Sequence, residues 1–353
     1  MVIKNDCFHF KGDIPCLPHK KYGFHCDSCD QYKKIEHQFL IIKLGAIGDV
    51  IRTTPILRKI RKEFPNAYIY WLTYSPEILS DEWVNKKLQV NVENIELIKQ
   101  IEFDWLIVLD KDPLAISLSN QIKAKRKSGF TIDKFGRPAP ISTEAEEHKW
   151  LTGIFDDISK KNQKSYPEEM FDIIGFGFSD EEYIVEVVEK YEWNLDYNKK
   201  IIGLNTGCGG RWSSRLWPNE YWVDLAVKLK NNGYEVVFIG GEQEHSKNLE
   251  LASLSGCKYF GHFELKKFTS LMNEFDLIVT AVTMAMHLAI GLKKKVLIFN
   301  TIFNKNEFYL YGRGEIIEPE EKCDCYYSPV CPHDSMKKIT PDKVVNAIEK
   351  LLK

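Results

Sequence analysis

Four short stretches of the chain combine residue types and spacings that could do chemistry on a phosphorylated ligand. In Gly45-Ala46-Ile47-Gly48-Asp49 two glycines stand three residues apart, after an apolar run and before a helical pattern. Glycines there allow a tight turn and close approach of a ligand to the backbone, and a helix start favours an anion. With only two glycines this is not the GxGxxG dinucleotide fingerprint. Asp49 has two readings: the N-cap of that helix, or a general base beside a nucleotide site. The second stretch runs from Asn205 to Pro218. Thr206, Gly207, Arg211 and Arg215 supply hydroxyl, backbone amide and guanidinium donors that together suit a diphosphate; a solvated surface loop is the competing reading. Third, His287 lies on an apolar helix reached from Thr283. It is either a satisfied core histidine or a ligand contact just past the end of a strand. Fourth, Glu242 follows Gly240-Gly241 at the end of another strand, where a carboxylate commonly meets ribose hydroxyls.

A second kind of chemistry is written in cysteine. Of nine cysteines, Cys7, Cys16, Cys26 and Cys29 lie near the N-terminus, and Cys323, Cys325 and Cys331 lie close together near the C-terminus. The cytoplasm is the expected address, because the first residues lack the apolar stretch of a signal peptide and no run is long enough for a membrane span. In a reducing compartment such runs read as metal ligands before disulfides. Cys26-x2-Cys29 has the spacing of a thiolate knuckle. The earlier spacings are irregular, so His9, His19 or His25 could replace a cysteine; in the second run His333 could serve as a fourth ligand. Tetrahedral zinc is the leading choice and iron the alternative, in a structural role.

These residues need elements to hold them. Residues 1–37 are polar and too short to bury a core without a metal or a disulfide. From Gln38 strands and helices alternate, which means parallel sheets covered on both faces. Phe39–Ile42, 67–72, 95–98 and 105–109 read as strands of a first Rossmann-like domain over 38–190, with Leu57, Ile60 and Phe64 on one helix face and Pro55 in that helix's first turn. Residues 200–204, 235–239, 276–279 and 295–299 read as strands of a second domain over 199–340. Helices fall at 219–230, 244–254, 265–273 and 283–292, and 341–353 closes the chain as an amphipathic helix. The charged stretch 179–197 reads as a helix leading into a linker.

Composition narrows the partners. The 353 residues carry 48 Lys+Arg against 50 Asp+Glu, a net charge of −2, which argues against a large nucleic-acid-binding surface. At 44% hydrophobic and 12% aromatic residues the chain is globular rather than disordered. The run Lys123-Ala124-Lys125-Arg126-Lys127 could offer a basic rim to an anionic acceptor, or be a solvated face.

Taken together, Lys43–Asp49 with Thr54-Pro55, then Arg215-Leu216-Trp217-Pro218, Gly240-Gly241-Glu242, and Thr283 with Met286-His287-Leu288-Ala289 resemble glycosyltransferase family 9, the heptosyltransferases, over residues 38–350. The resemblance implies a GT-B fold, two Rossmann-like domains with parallel sheets facing a central cleft, here with a small metal-stapled N-terminal extension. It implies inverting transfer of a heptose, typically from ADP-heptose, with no catalytic metal. It maps the acceptor-deprotonating base to Asp49 and the residue neutralising the leaving diphosphate to Arg215. It gives Gly45, Gly48, Thr206, Gly207, Arg211, Glu242, Thr283 and His287 to donor and phosphate binding. The implied acceptor is a glycan, glycolipid or protein hydroxyl, with no nucleic-acid partner and at most peripheral membrane contact. One departure matters: where the family reads Asp-Thr/Ser-Gly, this chain has Val282-Thr283-Met284. The alternatives are therefore a non-catalytic nucleotide-sugar or glycan-binding module and a GT-B epimerase or hydrolase.

Overall fold

The computed structural model describes residues 2–321 and 323–353. Two six-stranded sheets organise them. In the first, β1 (His37–Ile42), β2 (Ala67–Thr73), β3 (Lys86–Gln89), β4 (Glu102–Val108), β5 (Lys123–Ile132) and β6 (Pro138–Pro140) lie in the order β3-β2-β1-β4-β5-β6. All pairs are parallel except β5–β6. In the second, β7 (Ile201–Asn205), β8 (Glu235–Ile239), β9 (Lys258–Tyr259), β10 (Leu277–Ala281), β11 (Lys295–Phe299) and β12 (Gly314–Ile317) lie in the order β12-β11-β10-β7-β8-β9, parallel throughout. Each sheet reverses its winding beside its first strand, between β1 and β4 and between β7 and β10, where open α/β sheets bind ligands. This is the α/β architecture with two parallel-sheet domains that the GT-B resemblance implies.

The chain clusters into two compact units that are not continuous in sequence. The first comprises Met1–Gly45, Pro55–Glu147 and Met170–Gly177; the second comprises Ala46–Thr54, His148–Glu169 and Phe178–Lys353. The central strands explain themselves: Phe39-Leu40-Ile41-Ile42 and Leu277-Ile278-Val279 are buried along their whole length, as strands covered on both faces must be. In the second unit Trp217, Trp222, Phe238 and Phe299 anchor the core, joined by Val344 and Ile348 of the closing helix Pro341–Leu352. Each such side chain contributes about 1.5–3 kcal/mol when fully buried.

Two sequence expectations are overturned. Residues 95–98 are not a strand but part of the helix Val92–Gln100, started by Asn91, whose side chain accepts the Asn94 N–H at 2.8 Å. A four-residue apolar window is too short to distinguish the two periods. Residues 179–197 form no helix. Ile184, Val185, Val187 and Val188 disfavour one. Instead the segment runs irregularly, with Asp180 in the left-handed region (φ 62°) and Tyr183 and Ile184 buried. The basic run at 123–127 is a largely solvated face, with Lys123, Lys125 and Arg126 exposed, though its side chains also have partners on the chain. Lys125 pairs with Asp104 at 2.8 Å, Arg126 lies 3.8 Å over the Trp105 ring, and Lys127 donates to the Ser119 carbonyl at 2.5 Å. No described helix is long and apolar enough to cross a membrane.

Candidate active site

The helix Ile47–Thr53 carries Asp49 and belongs to the second unit. Its N-cap is Ala46, with Asp49 inside the first turn, so the capping reading of Asp49 does not hold. Several residues around it have contacts that fix the helix. Gly48 lies flat against His287: a Cβ built there would come 2.6 Å from the imidazole Cδ2, so only glycine admits this approach. The Thr53 hydroxyl donates to the Asp49 carbonyl at 2.7 Å and lies 3.1 Å from the Tyr166 hydroxyl. The Thr54 hydroxyl accepts the Ile184 N–H at 2.8 Å. Pro55 then opens the next helix, Pro55–Glu63, as its rigid φ favours. The Asp49 carboxylate is 34% exposed and pairs with Arg52 at 2.7 Å, one turn along the helix.

His287, on the helix Met284–Gly291, is 6% exposed. Burial, reinforced by the Arg52 charge and opposed by Asp49, pushes its pKa down to about 3, so it is neutral at physiological pH. Its ring stacks 6.2 Å from Tyr183, and Nδ1 has no hydrogen-bond partner among the described residues.

At the winding reversal between β7 and β10 a polar knot joins the strand ends. The Asn205 Nδ2 donates to the hydroxyls of Thr280 at 2.9 Å and Thr283 at 3.3 Å and to the Gly207 carbonyl at 3.2 Å. Thr206 is buried, its hydroxyl donating to Asn248 at 2.5 Å and its carbonyl accepting from Lys247 at 2.9 Å. Arg215 folds back over this loop. It donates to the carbonyls of Cys208 at 3.0 Å and Val282, and its guanidinium lies 5.1 Å over the Trp212 ring and 5.6 Å over Phe303. Burial lowers its pKa, yet a guanidinium remains charged. Arg215 thus meets position 282 through the backbone, although the side chain there is apolar.

The remaining sequence-derived residues fall elsewhere. Arg211 is exposed and lies 5.3 Å over Trp212. Glu242 is exposed at the start of a 3-10 turn. The carboxylate lying across the glycines is Glu244, which accepts the Gly241 N–H at 3.0 Å and would collide with a Cβ on Gly207. Gly45 belongs to the first unit, where its N–H (3.5 Å), the Leu44 N–H (3.0 Å) and the Lys43 ammonium (3.3 Å) all point at Asp110. Sequence reasoning missed Asp110, Arg52, Tyr166 and Glu307. Arg52 alone carried a signal, a charge one helical turn past Asp49.

The two cysteine runs differ. Cys323, Cys325 and Cys331 bring their sulfurs within 4.8 Å of one another, with Cys323 Sγ and Cys331 Sγ 3.3 Å apart and the Ser335 hydroxyl 3.4 Å from Cys331 Sγ. A tetrahedral ion with metal–sulfur bonds of about 2.3 Å needs sulfurs about 3.8 Å apart, so these three could hold one. Hydrogen bonds from Ser335 and the neighbouring thiols outweigh burial and pull the Cys331 thiol down to about 6. The expectation of a convergent N-terminal cluster is corrected. Cys7, Cys16, Cys26 and Cys29 line one small cavity with His9, but among the described residues the convergent thiol group is the C-terminal one. In residues 2–36 only Pro18 is buried, so little packing holds those loops together.

Comparison with known proteins agrees with this geometry. Residues 182–304 match the family model of glycosyltransferase family 9 (heptosyltransferase). Lipooligosaccharide heptosyltransferase 2 of Campylobacter jejuni is 22% identical over 328 residues, covering 86% of this chain and 96% of its own length. A glycosyltransferase family 9 structure from Veillonella parvula superposes with a TM-score of 0.70 at 18% identity, covering 90% of this chain and 97% of that one. TibC of enterotoxigenic E. coli, a dodecameric iron-containing heptosyltransferase solved with ADP-D-β-D-heptose, superposes at 0.58 and 12% identity, covering 90% and 76%. At these identities the solved structures establish a shared fold.

Proposed function

We propose that this chain, which is similar to the family 9 glycosyltransferases, transfers heptose from ADP-heptose to a hydroxyl of a lipopolysaccharide-type core glycan, with inversion at the anomeric carbon. Asp49 takes the proton of the acceptor hydroxyl as its oxygen bonds to the anomeric carbon. The carbon–oxygen bond to the diphosphate breaks, and its electron pair leaves with the phosphate oxygen. Arg215, backed by the amides and hydroxyls of Thr206, Gly207 and Thr283, meets the charge that develops there. The observation that carries this reading is the pairing, in one unit, of a partly exposed carboxylate and a buried neutral imidazole. A base must lie within hydrogen-bond reach of the proton it takes; Asp49 is 34% exposed and His287 only 6%. The donor and acceptor are carried from the relatives' names.

A metal in this reading is structural. Cys323, Cys325 and Cys331, with Ser335 or His333 completing the set, would hold zinc or iron, an ion of the kind TibC contains. Metal analysis of protein purified under reducing conditions tests this.

The transfer reaction is tested with ADP-heptose and a heptose-deficient core acceptor, with the product read by mass spectrometry. Asp49→Asn should lower turnover by about 10²–10⁴-fold while calorimetric ADP-heptose affinity changes little. Turnover near the wild-type rate in that variant would remove Asp49 as base. Donor binding without transfer to any acceptor would favour a binding module, the reading that Val282, apolar where the family has a carboxylate, keeps open.

A further inference from the structure

Arg52 is held from three sides. It pairs with Asp49 at 2.7 Å and with Glu307 at 3.7 Å, and its guanidinium lies 3.7 Å over the Tyr166 ring. Its side chain is 15% exposed and that of Glu307 is 16%, so this chain of charges sits largely out of water, where screening is weak. Two of the partners of Arg52 are themselves anchored. Glu307 ends the 3-10 turn Lys305–Glu307, whose cap, Asn304, donates to the carbonyls of Ser159 at 2.8 Å and Asn162 at 2.7 Å. Tyr166 is tied to Thr53 on the Asp49 helix itself. A carboxylate on a seven-residue helix, one-third exposed, would otherwise sample several rotamers.

Resting on the assignment of Asp49 as base, we infer that Arg52 is its positioning residue, and that Glu307 sets how much of the Arg52 charge Asp49 feels. Arg52 grips one carboxylate oxygen and fixes the direction of the other. It also holds the carboxylate ionised as the acceptor approaches. Glu307 competes for the same guanidinium, so Asp49 is oriented without losing all of its proton affinity. The titratable and charged groups facing this pair are Glu307, Tyr166, Lys149, Tyr183, Tyr327 and His287. His287 is neutral across the working range, and burial raises the pKa of Tyr183 and Tyr327, which leaves Glu307 as the acidic partner that tunes the pair.

The two substitutions that remove charge should move the acid limb of the kcat–pH profile in opposite directions. Arg52→Gln should lower kcat by about 10²-fold, the scale of a misplaced catalytic group, with the donor KM within about twofold of wild type. It should move the acid limb toward higher pH, since an opposite charge has been lost. Glu307→Gln should move that limb toward lower pH, because Asp49 then has Arg52 to itself. Arg52→Lys keeps the charge but loses the planar stacking on Tyr166; it should leave the limb in place and recover part of the rate. A lowered melting temperature with an unmoved limb in both charge-removing variants would make Arg52 a structural residue and overturn the inference, as would a wild-type kcat in Arg52→Gln. Asp49→Asn separates the two levels. If it is inactive while Arg52→Gln is unaffected, only the positioning role falls; if it retains turnover, the base assignment itself is wrong.

Discussion

The two sheets share a strand order and treat the crevice at their winding reversal in opposite ways. In the first unit the backbone amides of Leu44 and Gly45, with the Lys43 ammonium, converge on a carboxylate the chain supplies itself, Asp110. An anion site has been filled from within and now ties β1 to β4. In the second unit the Glu244 carboxylate lies against Gly207 and accepts the Gly241 N–H at 3.0 Å, but it does not gather the loop's amides and a cation as Asp110 does. Asn205, Thr280 and Thr283 bond one another, and Arg215 rests on the carbonyls of Cys208 and Val282. Carbonyls are weak partners for a guanidinium compared with an oxyanion, so under the proposed function a diphosphate would take Arg215 over. One topology therefore yields a crevice stapled by Asp110 in one place and, in the other, an arginine resting on carbonyls, which the proposed function reads as the donor site.

Removing the cation of the open crevice is expected to have the largest effect. Arg215→Gln should lower kcat by about 10²–10³-fold, the range seen when one stabilising donor is lost, and should weaken ADP binding by calorimetry. Unchanged ADP affinity would break the contrast by making Arg215 a loop anchor. Asp110→Asn attacks the filled crevice. It should leave ADP affinity unchanged and destabilise the fold by about 1–3 kcal/mol, the scale for a buried polar network losing one partner, read in urea denaturation. A loss of ADP affinity there would mean the first crevice is no mere staple.

The smallest effect concerns His287. Its folded-state pKa of about 3 lies below the ordinary 6.5, so as pH falls the unfolded chain takes up this proton first. The stability it contributes is complete above about pH 6.5 and declines from there toward pH 3. His287→Gln should flatten the fall in melting temperature between pH 7.5 and pH 5. An equally steep fall in the variant would show that other groups set this dependence.

How much of this was legible beforehand follows from what a linear sequence encodes. Gly48, Asp49, Thr54 and Pro55 could be read together as a motif, and Pro55's rigid entry to the next helix is local, but the contacts of Gly48 with His287 and of Thr54 with Ile184 are tertiary. The long strands at 235–239 and 295–299 coincide with those read from apolar runs, since buried parallel strands need no alternation. Short or irregular elements escaped. β9 has two residues and β12 begins at a glycine, and the segment after Ser179 is held by Tyr183 and Ile184 packing onto distant residues. Arg52 was visible as a charge, but Glu307 and Tyr166 meet it only through tertiary structure. The cysteines reverse the lesson. The run with the better local spacing, Cys26-x2-Cys29, is the one without a convergent set. The C-terminal run is positioned by bonds to remote backbone, with Tyr327 N–H on the Ile302 carbonyl at 2.8 Å and the Ser214 hydroxyl on the Ser328 carbonyl at 2.7 Å.

The membership of Ala46–Thr54 in the second unit has a consequence for synthesis. Asp49 and Arg52 leave the ribosome early, but the imidazole that Gly48 packs against follows more than two hundred residues later. At about 5–20 residues per second that is a wait of roughly ten seconds to most of a minute. Until then Gly48, Val50 and Ile51 have no native surface to cover them, and the first unit completes its sheet with this nine-residue insert undocked. A fragment beginning at Phe178 would inherit β7–β12 yet lack Asp49, and a fragment ending at Gly177 would carry Asp49 without His287, Ile184 and Glu307 to hold its helix. That short loan of sequence predicts that no single cut of the chain yields an autonomous second unit, which expression and circular dichroism of the two fragments would check.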